Sequence, residues 1–184
     1  MSDGRPWYRE PETFVAVAAL VVSVSAVVVG IYEAALQRRH DRAEVWPHLE
    51  LTTFTTSNGA SLSVTNSGIG PALIKSVVVT VDGKRAHNWN DVLTTLLGHA
   101  PTAGFSNSTI ALSALRPGDK VMMVGLPNAD MPPGFWTAVR RVGITVCYSS
   151  VFDEYWVMRD TGIGGRTRWE PATGCPPQAD GEDF

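Results

Sequence analysis

The chain has 184 residues, of which 44% are hydrophobic and 18% charged, and a formal net charge of -3. A small negative charge excludes a phosphate-tracking surface, so no nucleic acid is expected as a partner. Two cysteines, Cys147 and Cys175, are too few for a multi-disulfide scaffold or a four-thiolate zinc site.

The first element stands apart from the rest. Residues 1–12 form a short tail, and from Phe14 to Tyr32 the chain runs without one charge. An apolar run of about 20 residues crosses the hydrocarbon core as a helix, so residues 13–36 are read as a single membrane span. A secretory signal peptide is the competitor. The run is longer than the usual apolar region of such a peptide, and Glu33 and three arginines follow it closely. Residues 37–45, with Arg38, Arg39 and Arg42, continue as a basic helical extension. Trp7, Tyr8 and Tyr32 sit where interfacial aromatics belong. Arg5 and Arg9 flank one end against three arginines at the other, which favours a cytoplasmic C-terminal domain, with a periplasmic or extracellular one as the alternative. The expected location is the inner, or plasma, membrane.

Along this helix Ala16, Ala19, Ser23, Ala26, Gly30 and Ala34 recur at spacings of three and four and line one stripe. Small residues let helix backbones approach closely in lipid, so the stripe is a candidate packing face for another membrane protein or a second copy.

After the arginines the period changes. Pro47 stops the helix, and Leu49, Leu51 and Thr53 alternate with polar residues as a strand does. Leu62 and Val64 share the face of a second strand, and Val77, Val79 and Val81 that of a third, which closes in the turn Asp82-Gly83. Asn90 is read as the cap of a short helix presenting Val92, Leu93, Leu96 and Leu97. Ser108–Leu115 and Lys120–Leu126 read as strands joined by a Pro-Gly turn. A short helix near Phe135 precedes a last hairpin, which turns at Phe152–Glu154. From Pro171 the sequence loses apolar periodicity and is expected as a flexible tail over 171–184. The domain, residues 46–170, is therefore expected as an antiparallel β-sandwich of immunoglobulin-like type, mainly β, with one or two helical insertions; a β-barrel is the alternative.

Asn66-Ser-Gly68-Ile-Gly70-Pro71-Ala72 resembles a phosphate loop in composition only. It lacks the lysine and hydroxyl residue of a P-loop, and a valine-rich strand follows it instead of a helix. It reads as a structural turn in which Gly68 and Gly70 take angles closed to other residues and Asn66 bonds back to the loop. The four histidines are scattered, so no metal is expected. Asp153 and Glu154 read as hairpin-turn residues, and no catalytic set or cofactor motif emerges. Cys147 and Cys175 read as unpaired thiols, able to bond only in an oxidising compartment. Tyr155 and Trp156 point to opposite faces of one strand, so one of them is a candidate interaction aromatic.

Taken together, the span, Trp46-Pro47-His48-Leu49, the Asn66–Ala72 turn and Cys147-Tyr148-Ser-Ser-Val-Phe152-Asp-Glu-Tyr-Trp156 resemble a group of small, uncharacterised bacterial membrane-anchored proteins. In that group a W-P-x-L strand, an N-x-G-x-G-P-A turn and a C-Y-x-S-x-[FY]-x-x-x-W hairpin recur. The resemblance covers most of residues 13 to 158. Members often carry further cysteines around the last motif. Ser149 and Tyr155 occupy those places here, which argues against a thiol or metal role. The resemblance implies architecture and membrane location, with no activity attached. The expected function is that of a non-enzymatic accessory or scaffolding protein, possible rivals being a ligand- or peptide-sensing module and, more remotely, an enzyme.

Overall fold

The computed structural model describes residues 11–43 and 45–184. The expected positions Arg5, Trp7, Tyr8 and Arg9 lie outside the described residues. The chain divides into two units, residues 1–43 and 44–184.

The first unit is one helix, α1 (Pro11–Ala43), so the expected span and its basic extension form a single continuous element. Its stretch Glu12–Arg38 is long and apolar enough to cross a membrane, with a mean hydropathy of 2.8. Its two serine hydroxyls bond within the helix. Ser23 Oγ donates to the Ala19 carbonyl and Ser25 Oγ to that of Val21, each at 2.8 Å. Both donors are met inside the helix, as an apolar surround requires.

The second unit is an antiparallel β-sandwich, as the alternating periods require. Strands β1 (Leu49–Thr56), β2 (Gly59–Asn66), β3 (Ala72–Val81) and β4 (Lys84–Arg85) lead into α2 (Trp89–Leu97). Then come β5 (Ser106–Asn107), β6 (Ala114–Leu115), β7 (Lys120–Pro127), α3 (Phe135–Ala138), β8 (Val142–Ser149), β9 (Tyr155–Asp160) and β10 (Thr167–Ala172). One sheet has the order β1-β2-β7-β5; the other runs β10-β9-β8-β3-β4, with β6 also pairing β3. Leu62, Val64 and Met123 of the first sheet and Val77, Val79, Val146 and Met158 of the second meet in one core. The shared faces of Leu62 with Val64 and of Val77, Val79 and Val81 are buried as their alternation requires.

Several local readings are corrected. The helix cap is Asn88, not Asn90: the Asn88 side chain accepts from Asp91 N–H at 2.9 Å. Of Ser108–Leu115 only Ala114 and Leu115 pair as a strand. The rest is held irregularly, with Ile110 and Ala111 N–H donating to the Phe184 carbonyl and Leu112 at φ +57°. A strand that alternation did not disclose, β10, forms after the Gly162–Gly165 turn and pairs β9.

The largest correction concerns residues 171–184. They are no loose tail. Cys175 is bonded to Cys147, so the two cysteines are not free thiols. Arg85 and Glu182 form a bidentate ion pair at 2.7 Å. Phe184 is fully buried and meets Trp89 edge-on, with ring centroids 5.4 Å apart. The segment is thus tied to β8 by the crosslink, to β3 by Gln178 and to the core by Phe184.

Candidate functional site

Two places in the sandwich combine exposed or unpartnered groups with a rigid frame. The first is the end of the domain that the chain enters from α1. There the Asn66–Ala72 turn grips residues 45–48. Ile69 N–H donates to the Trp46 carbonyl at 3.0 Å and Gly70 N–H to the same oxygen at 3.3 Å. Ser67 N–H donates to the His48 carbonyl at 2.8 Å. Asn66, fully buried, accepts from Gly68 N–H at 3.0 Å and from His48 N–H at 3.2 Å. Its amide nitrogen donates to the Gly70 and Leu115 carbonyls at 2.8 and 2.9 Å. Asn66 thus bonds back to its loop as expected, and also ties that loop to β6.

The glycines owe their place to a different cause than expected. Neither Gly68 nor Gly70 has a positive φ. A Cβ on Gly68 would come within 2.5 Å of the Trp46 carbonyl oxygen and 2.7 Å of the Pro47 carbonyl carbon. A Cβ on Gly70 would overlap the backbone of Val45. Close approach of two backbones, not a forbidden angle, selects glycine here. Pro71 follows, and the chain passes directly into β3.

Around this grip lies an aromatic stack. His48 sits between Trp46 and Trp169, with ring centroids 5.0 and 4.6 Å away. The Trp169 indole N–H donates to the Leu49 carbonyl at 2.7 Å, joining β10 to the start of β1. Trp46 and Trp169 are exposed, while Pro47 and Leu49 beneath them are buried.

The second place is an apolar cleft of about 50 Å³ among Leu62, Trp89, Leu93, Leu126, Phe135 and their neighbours. Trp89 is buried, and its indole nitrogen has no hydrogen-bond partner. Trp136 at the margin is exposed.

No family model, curated protein or solved structure matches this chain.

The remaining predicted positions are dispersed. Tyr155 and Trp156 are both half-buried. Trp156 packs against the core and stacks on Tyr148 with centroids 5.9 Å apart. Burial pushes the Tyr148 phenol up to about 12, so it stays neutral. Among the described residues no three His, Cys, Asp or Glu side chains converge on a metal position. Ala16, Ala19, Ser23, Ala26, Gly30 and Ala34 are all exposed on α1. Sequence reasoning weighed His48 only in dismissing a metal site and met Trp46 and Ile69 only as members of two motifs. The available signal was the pair of motifs W-P-H-L and N-S-G-I-G-P-A, which only the fold brings together.

Proposed function

We propose that this chain is a single-span membrane protein whose sandwich lies outside the cytoplasm and which serves as a non-enzymatic accessory subunit. The observation that carries the reading is α1, a membrane-length helix with an exposed stripe of Ala, Ser and Gly. Close packing against another helix is the stabilising use of such a stripe in lipid. Membership in the group with the W-P-x-L and N-x-G-x-G-P-A motifs is part of the same proposal.

The Cys147–Cys175 disulfide supports that side of the membrane. Disulfides persist in the periplasm or outside the cell and are reduced in the cytosol. The opposing bias is a difference of one basic residue between the flanks, which is the weaker determinant. The proposal therefore takes the oxidising side, against the preference drawn from charge alone.

Two measurements test this. A thiol reagent applied to lysed, unreduced cells should leave both cysteines unmodified; modification of both would place the domain in the cytosol. Ala26→Leu with Gly30→Leu should abolish crosslinking of α1 to its helix partner. Unchanged crosslinking would remove the accessory role.

A further inference from the structure

Three separate segments place apolar side chains at one end of the sandwich. Trp46 is 46% exposed and Ile69 63%, and the two residues are joined through the Ile69–Trp46 backbone bond. Val151 and Phe152 are 50% and 44% exposed in the β8–β9 turn. Register brings that turn to the same end: Leu73, at the start of β3, pairs Ser149, at the close of β8.

These side chains are held in place. Ser150, itself buried, accepts from Phe152 N–H through its hydroxyl at 3.1 Å and donates its own N–H to the Glu154 carbonyl at 2.9 Å. Asp153 at φ +55° completes the tight turn. Ile69 is fixed by the grip on residues 45–48. The opposite end carries the polar turn Asp82-Gly83-Lys84 instead, all of it exposed.

We infer that the end of the sandwich holding residues 45–48 rests on the bilayer surface, with Ile69, Val151 and Phe152 set among the lipid headgroups. This rests on reading α1 as a membrane span. Chain length selects lipid as the occupant. The membrane-length stretch ends at Arg38, five residues before α1 itself ends, and Trp46 is bonded into the domain three residues beyond Ala43. Those few residues reach at most about 20 Å, while each headgroup layer is roughly 5 to 8 Å deep. The apolar end therefore cannot stand far from the membrane. Ile, Val, Phe and Trp are the side chains that partition into that interface. Arg116, exposed in a turn tied to this end by the Gly118–Asn66 backbone bond, suits anionic headgroups.

The test uses the full chain in phospholipid nanodiscs containing phosphatidylglycerol. An environment-sensitive fluorophore is attached at Ile69→Cys, Phe152→Cys or, as the remote control, Lys84→Cys. The native cysteines are bonded to each other and do not compete for the label. Labels at 69 and 152 should shift to the blue and lose intensity to spin-labelled lipid headgroups, while the label at 84 does neither. A blue shift without quenching by lipid means a protein covers this end and overturns the inference. Labels at all three positions reading as water overturn it too, while leaving the span intact. Release of the chain from membranes by alkaline carbonate would overturn the inference and the span together.

Discussion

Gln178 hydrogen-bonds both backbone groups of Val77: its Oε1 accepts from Val77 N–H at 2.7 Å and its Nε2 donates to the Val77 carbonyl at 3.2 Å. On this edge β3 pairs β6 only at Ala72 and Leu73 and β4 only at Thr80 and Val81. One side-chain amide fills the gap between them as a strand residue would. Gln178→Ala strips two part-buried backbone groups of their partners. A loss of about 1 to 3 kcal/mol in urea unfolding is expected. Unchanged stability would mean that water replaces the amide there without loss.

The disulfide closes a loop across a sequence separation of 28 residues. In the chain-entropy model this restrains the unfolded state and is worth about 3 to 4 kcal/mol. Cys147→Ser with Cys175→Ser should lower the unfolding free energy by that amount. Reductant should do the same to the wild type and nothing further to the double variant.

Gly70→Ala forces a methyl group into the Val45 backbone, which has no flexible side chain to yield. A cost of at least roughly 2 kcal/mol is expected, because either the turn or the entering chain must shift. Gly83→Ala serves as comparison: that site is open, and only its φ of +77° opposes the change. If thermal denaturation ranks Gly83→Ala as the more harmful, the close-approach account is wrong.

Phe184→Ala empties a fully buried site against Trp89. Aromatic truncations in cores cost about 3 to 5 kcal/mol. The variant should also alter tryptophan fluorescence, since Trp89 loses its edge contact.

Two buried carboxylates pull the pH profile in opposite directions. Asp130 accepts from the Thr102 hydroxyl at 2.5 Å, from Ala103 N–H at 2.8 Å and from Thr102 N–H at 3.0 Å. The Thr102 hydroxyl above all holds its carboxyl below the ordinary 3.8. Its stabilisation is complete above the unfolded value and lost as pH falls through the lower folded one. Asp130→Asn should flatten the acid limb of the stability curve. Burial raises Asp160, so its contribution weakens as pH rises through its folded value. Asp160→Asn should therefore raise stability at neutral pH relative to acid. The reverse ranking of the two variants would refute both assignments.

The sandwich and the inward faces of β2 and β3 were legible because burial on one side imposes a period on the residues, and the long apolar helix was legible from its uncharged run. What was illegible depended on contacts distant in sequence. Gln178 meets Val77 across a separation of 101 residues, and nothing in a proline-rich stretch announces a surrogate strand. The glycines of the Asn66–Ala72 turn were recognised, but their cause was not, since the crowding comes from Val45 to His48 on another segment. Phe152 was read as a turn-side aromatic; that Ile69 shares its end of the sandwich follows only from strand register.

The grip on residues 45–48 also dictates where a water-soluble version of the domain may begin. A fragment starting at Leu49 would forfeit the carbonyls of Trp46 and His48 that accept from Ser67, Ile69 and Gly70. It would also uncover the two glycines those residues shield and unstack Trp169 from His48. Cutting before Val45 leaves all of this intact. The border between helix and domain thus falls inside what looks like a linker, and the helix can be exchanged only upstream of it.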